Sequence, residues 1–193
     1  MRAVETVYQA FSATAAVAGD HVFLCAPPAP GRAYHPDGVE FTYAATRAHV
    51  ERLRAAYAGA GYGHGHRVAL LLENRPEFFF HYLALNALGC AIVPINPDYR
   101  HDEVRYQMEH SEADLAVVVS ARVADLEAVA RSRERPLPVV DAERWPDTLP
   151  MPRVAPRGGE PGAASECSLL YTSGTTGRPK GCILTNFYYL NSG

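Results

Sequence analysis

Three short apolar runs, each followed by a stretch of helical periodicity, constrain this chain more than any other feature. Residues 67–72 (Arg-Val-Ala-Leu-Leu-Leu), 90–95 (Cys-Ala-Ile-Val-Pro-Ile) and 115–119 (Leu-Ala-Val-Val-Val) are almost wholly apolar and show no polar alternation. A strand with one wet face alternates, whereas one covered on both faces reads as a continuous run. Helical patterns between the runs then act as crossovers, and strand–helix–strand repetition argues for parallel pairing. The expected fold is α/β, a layered sandwich of mostly parallel strands with flanking helices.

The remaining elements fit around that centre. Residues 4–18 repeat at helical spacing, and residues 21–25 and 39–43 read as two strands of a hairpin whose turn lies near His35 to Gly38. Thr42 is placed to cap a helix over 43–60, and Asn74 to cap one carrying Arg75 and Pro76 in its first turn. Asp102 is expected to begin a helix through Glu109, residues 122–132 to form another, and residues 137–140 a short strand. Residues 145–164, rich in Pro and Gly, read as a surface connection. Residues 167–171 and 182–185 return to the sheet, and Asn186 is expected to cap a final helix.

At 193 residues, with 48% hydrophobic and 20% charged content, the chain can bury an ordinary core. A net charge of −3 gives no general field for nucleic acid or an anionic membrane surface. The longest apolar stretch, residues 78–95, is interrupted by His81 and Asn86, so no membrane span is expected. Cys25, Cys90, Cys167 and Cys182 contain no Cys-x-x-Cys pair, and buried free thiols in a reducing, cytoplasmic setting are expected.

Chemistry concentrates near the C-terminus. An apolar run, Ser168 to Leu170, feeds Tyr171, Thr172, Ser173, Gly174, Thr175, Thr176, Gly177, Arg178, Pro179, Lys180 and Gly181. Glycines let a backbone approach an anion, hydroxyls add donors, and lysine supplies a mobile charge suited to phosphate. A Ser/Thr/Gly cluster is also an ordinary solvated loop. Its spacing departs from the Walker pattern, because Pro179 stands where that pattern needs glycine before the lysine.

The stretch from Tyr171 to Gly181 resembles, almost position for position, the phosphate-binding signature of the adenylate-forming (ANL) superfamily, the acyl-CoA synthetase-like AMP-dependent ligases. Gly61, Tyr62 and Gly63 before residues 67–72, then Asn74, Arg75, Pro76 and Glu77, are similar to that family's N-terminal part, although His66 replaces a common Asp. The resemblance implies ATP-dependent, AMP-forming activation of a small carboxylic acid to an acyl-adenylate and then an acyl-CoA. It implies contacts to ATP from Thr172, Ser173, Gly174, Thr175, Thr176, Gly177 and Lys180. By the same resemblance Lys180 is the catalytic candidate, and Thr175 matches the threonine often found near Mg²⁺. Asn186 stands where many relatives carry histidine.

ATP, Mg²⁺ and CoA are the implied cofactors, with the acid as substrate. Residues 1–193 correspond to the N-terminal portion of the AMP-binding domain, without the C-terminal domain. Such a portion is expected not to complete adenylation alone. A homo-oligomer or a complementing C-terminal fragment stays open as a protein partner. A non-catalytic remnant or phosphate-binding module is the alternative, and peptide-synthetase adenylation a narrower one.

Three other features compete for a role. His64 and His66 flank a glycine but lack further metal ligands nearby, so an exposed loop is the expectation. Arg131, Arg133 and Arg135, diluted by Glu127 and Glu134, read as a solvated helix end. Phe78, Phe79 and Phe80 cover several faces of one turn and are expected to serve core or inter-subunit packing.

Overall fold

The computed structural model describes residues 4–133, 135–172 and 179–192. A first helix, α1 (Val7–Val17), is capped by Thr6, whose hydroxyl accepts the Gln9 N–H while the Gln9 side chain accepts from Thr6. Strands β1 (Val22–Ala26) and β2 (Val39–Thr42) pair antiparallel. Helix α2 (Tyr43–Gly59) then starts at Thr42, whose hydroxyl accepts from Ala45 N.

The crossovers follow as expected: β3 (Arg67–Leu71), α3 (Pro76–Ala87), β4 (Ala91–Pro94), α4 (His101–Ser111), β5 (Leu115–Val118), α5 (Val123–Arg131) and β6 (Val139–Asp141). The chain closes with β7 (Glu166–Thr172), β8 (Lys180–Thr185) and α6 (Asn186–Ser192). Among the described residues, the larger sheet has the order β6-β5-β3-β4-β7-β8, parallel except where β7 meets β8.

Strand period explains the two cores. Val68, Leu70 and Leu72 face α1, α2 and α3, while Ala69 and Leu71 face α4 and α5. Leu115 and Val117 repeat this on β5 against Ala116 and Val118. Because α3 carries the chain from β3 to β4 and α4 carries it back past β3 to β5, strand order reverses between β3 and β4. That reversal opens a crevice at the carboxyl ends of the two strands.

An ion pair joins the sheet's two regions. Arg67 at the start of β3 reaches past β4 to Glu166 at the start of β7, with Nε and Nη2 at 2.8 and 2.9 Å from the two carboxylate oxygens. Its Nη1 donates to the Ser111 carbonyl at 2.9 Å. This fork-on-fork geometry raises the Arg67 pKa, the Glu166 hydrogen bonds being the main cause.

Several local expectations are corrected. Asn74 does not cap α3: Arg75 is the N-cap residue and makes no side-chain cap bond, and Pro76 takes the first helical turn. Helix α4 begins one residue before Asp102, with the Glu103 carboxylate accepting the Arg100 N–H at 2.9 Å. Residues 145–164 are not merely a surface connection, because Leu149 is buried and Trp145 packs edge-on against Tyr57. The pyrrolidine-rich segment straps the core, and Tyr62 donates to the Pro150 carbonyl. Cys90 and Cys167 are buried free thiols, but Cys25 and Cys182 are exposed because each lies on a strand with one open face.

His66 is buried rather than exposed. Its Nδ1 accepts from Gly63 N at 3.0 Å and its Nε2 lies 2.9 Å from the Val154 carbonyl, so both ring nitrogens are spent on backbone. Arg133 is half-buried, not solvated, and burial lowers its pKa, helped by Arg153.

Candidate functional site

The crevice at the β3/β4 switch point holds a cavity of about 930 Å³. Its floor is formed by Leu70, by Pro94 at the end of β4 and by Ile95 to Tyr99 beyond it; Leu170, Tyr171 and Thr172 of β7 close one side. Phe78 and Phe79 of α3 and Gln107 of α4 stand on opposite faces of the sheet and both reach it. Phe80, by contrast, is core. The aromatic triplet is therefore divided: one ring packs inward, and two line the cleft.

Backbone chemistry shapes the rim. Glu73 adopts a left-handed conformation, φ 56°, which turns the chain out of β3 into α3. Asn96 accepts from the Asp98 N–H at 3.0 Å and turns the chain so that Tyr99 faces the cleft. Gln107 Nε2 donates to the Pro94 carbonyl at 2.8 Å, while its Oε1 is buried with no partner among the described residues.

A charged cluster braces the far wall. The Arg75 guanidinium pairs with Glu143 and Glu73 and lies 4.5 Å from the centre of the Tyr34 ring. Hydrogen bonds from Ser120 and then from Arg75 hold the Glu143 carboxyl below its ordinary pKa. Tyr34 donates to the Asn74 carbonyl at 3.2 Å, which is the work Asn74 does here. Asn74 and Arg75 belong to the stretch that resembles the family's N-terminal part, but Tyr34, Glu73, Ser120 and Glu143 carry no motif, and only the βαβ reading, which puts the strand ends together, could have pointed to them.

Of the sequence-predicted site residues, Thr172 and Lys180 are described, and they are directly opposite each other on the last rung of the β7–β8 hairpin. Both are exposed. Ser173, Gly174, Thr175, Thr176, Gly177 and Arg178 lie outside the described residues. Thr172 lines the cleft and Lys180 is its cross-strand partner, so one rung carries a hydroxyl and an ammonium that can both donate to phosphate oxygens. Among the described residues, no three His, Cys, Asp or Glu side chains converge as a metal site.

Asn186 is not a helix cap. It is fully buried as the first residue of α6, and its Oδ1 accepts from Asn86 Nδ2 at 2.8 Å and from Val7 N at 3.2 Å. Its Nδ2 donates to the Gly162 carbonyl at 3.1 Å. Asn86 also donates to Cys167 Sγ, so this amide pair ties α1, α3 and α6 to the root of β7.

An α/β sheet with a ligand-sized crevice at its switch point and a Ser/Thr/Gly-rich hairpin beside it defines a nucleotide- or phosphate-binding enzyme scaffold. Residues 11–193 match the AMP-binding enzyme family, and the chain belongs to that family. It is 34% identical over 155 residues to 4-coumarate–CoA ligase 3 of Oryza sativa subsp. japonica, covering 77% of this chain and 28% of the relative. It is 28% identical over 160 residues to a crotonobetaine/carnitine–CoA ligase of Salmonella paratyphi A, covering 77% of this chain and 31% of that one. O-succinylbenzoate coenzyme A synthetase from Bacillus subtilis, solved with AMP, shares the fold at a TM-score of 0.73 and 22% identity over 97% of this chain and 44% of that chain. The chain thus spans less than a third of the length of these two curated relatives. Among the described residues, no helix is long and apolar enough to cross a membrane.

Proposed function

We propose that this chain forms the phosphate-binding portion of an AMP-forming carboxylic acid–CoA ligase. The observation that carries the reading is the Thr172–Lys180 rung, set beside a crevice at the topological switch point. In the reaction, a carboxylate attacks the α-phosphoryl group of ATP and pyrophosphate leaves; the acyl group then passes to the thiol of CoA. Negative charge grows on the departing phosphates, and prepositioned donors stabilise it.

Lys180 serves as the catalytic charge on those phosphates. Thr172, Ser173, Gly174, Thr175, Thr176 and Gly177 supply the surrounding hydroxyl and backbone donors. Thr175 is the hydroxyl that would help hold Mg²⁺, and the ion would supply positive charge next to the phosphates. Residues 1–193 act as the N-terminal portion of the AMP-binding domain, so a complementing C-terminal segment supplies what adenylation further requires. Four unpaired cysteines support a cytoplasmic setting.

Titration calorimetry with MgATP tests the assignment on the chain itself. Lys180→Ala is expected to weaken binding by about 10- to 100-fold, the worth of a charge-assisted hydrogen bond. Because Lys180 is exposed, stability is expected to stay within about 0.5 kcal/mol. Unchanged affinity in a folded variant removes Lys180 from the role.

A further inference from the structure

The hairpin that carries Lys180 projects from the edge of the sheet, and β8 is exposed from Lys180 through Ile183. Pairing with β7 fixes its register but not its attitude toward the cleft. Something on the platform must hold the stem near the loop.

Side-chain period identifies the contact. Leu169 packs into the core beneath α4 and α5, so Tyr171, two residues on, points to the same side. Helix α4 lies there, with Val104 and Met108 in the Leu169 core, and His110 follows in its last turn. His110 Nδ1 lies 2.8 Å from the Tyr171 hydroxyl, and the two rings meet edge to face at 5.7 Å. Tyr106, one turn earlier, stacks on the His110 ring at 5.5 Å and fixes its plane. Burial raises the Tyr171 phenol to about 12, so at neutral pH it keeps the proton it can donate.

The opposing strand is cut to fit. Gly181 pairs with Tyr171, and a Cβ there would stand 3.0 Å from Leu169 Cδ1, 3.5 Å from Tyr171 Cζ and 3.6 Å from His110 Cε1. Gly181 therefore belongs to packing rather than to the phosphate cradle: the absent side chain makes room for the tyrosine and histidine. The next rung outward is Thr172–Lys180.

We propose that His110 is a positioning residue: with Tyr171 packed over Gly181 it latches the hairpin stem to α4 and so sets where Thr172 and Lys180 stand relative to bound nucleotide phosphate. The inference rests on the phosphate role proposed above for that rung. Donors aimed at developing charge lose effect when displaced by an ångström, so His110, one rung away and outside the cleft lining, acts on binding without touching the ligand.

The test combines amide hydrogen exchange of the ligand-free chain with MgATP titration, for His110→Ala, His110→Gln, Tyr171→Phe and the double variant His110→Ala/Tyr171→Phe. The latch predicts about tenfold faster exchange at the β7–β8 end in His110→Ala, with β3 and β5 amides unmoved, and about five- to tenfold weaker MgATP binding. Tyr171→Phe should match it, the double variant should be no worse than either single one, and His110→Gln should recover most of the loss. Unmoved exchange, additive losses, or faster exchange with unaltered MgATP affinity each overturn the proposal. If the unsubstituted chain binds no MgATP, the nucleotide assignment falls, and the exchange data alone confirm or overturn the latch.

Discussion

Leu115 and Ile183 are both branched aliphatic residues on strands of one sheet, yet Leu115 is 0% exposed and Ile183 55%. Leu115 sits on β5, beside β3 and covered by helices on both faces. Ile183 sits on β8, an edge strand paired on one side with β7. In the centre, stability comes from apolar area removed from water and from close packing, which no single contact dominates. At the edge, position comes from a few directed contacts: His110 with Tyr171, Ser168 with Tyr189 at 2.8 Å, and the Asn86–Asn186 pair at the root. A rigid platform thus carries a hairpin whose attitude rests on named bonds, which suits the phosphate-contacting role proposed for its loop.

The largest expected effect breaks the centre and spares the edge. Leu115→Ala should cost about 2–5 kcal/mol in denaturant unfolding, because it deletes methyl groups from a fully covered site. Ile183→Ala, by the same truncation, should fall within about 0.5 kcal/mol. Equal losses would mean that the edge is covered in solution and that the contrast is misplaced.

The joint between the two regions comes next. Arg67→Met removes the fork to Glu166 and the bond to the Ser111 carbonyl while keeping much of the side chain's volume. Both partners are roughly four-fifths covered, at 21% and 24% exposure, so a loss of about 2 kcal/mol is expected. Glu166→Gln should lose less, since one neutral oxygen still accepts. A loss under about 0.5 kcal/mol in Arg67→Met would mark the pair as an ordinary surface contact.

The same contrast decides what could be read before the structure. Short runs without alternation, set between helical patterns, read as strands covered twice, so β3, β4 and β5 and their parallel pairing were legible from residue type, whereas their order in the sheet was not. The stretch from Tyr171 to Gly181 was legible as a signature, and Thr172 and Lys180 do meet on one rung. What was not legible depends on pairs distant in the chain. Residue type puts Asn at helix starts, but Asn186 meets Asn86 and Val7 only after α1, α3 and α6 pack together. His66 looked exposed because glycines flank it, and the strap that supplies the Val154 carbonyl lies 88 residues away. Gly181 looked like one more loop glycine until its cross-strand partner and the helix above it were known.

The finest test uses acid, and it acts on the platform. His81 on α3 is buried with its Nδ1 at 2.8 Å from the Tyr57 hydroxyl, and Trp145 of the strap lies 5.1 Å from its ring. Burial disfavours the imidazolium and lowers its pKa from 6.5 to about 3. The sign follows from proton binding: between those values the unfolded chain takes up a proton that the folded chain refuses. Stability is therefore fully present above about pH 6.5 and falls as pH drops toward 3, by about 1.4 kcal/mol per pH unit from this group. Carboxylates titrate across the same window, so the informative quantity is the difference from a variant. Tyr57→Phe combined with His81→Leu removes the titrating ring without stranding the phenol. Its unfolding free energy, followed from pH 6 to pH 4, should fall about 1.4 kcal/mol less per pH unit than that of the unsubstituted chain. Parallel slopes would mean that the imidazole takes up its proton in place, and that the strap over α3 opens more readily than its packing implies.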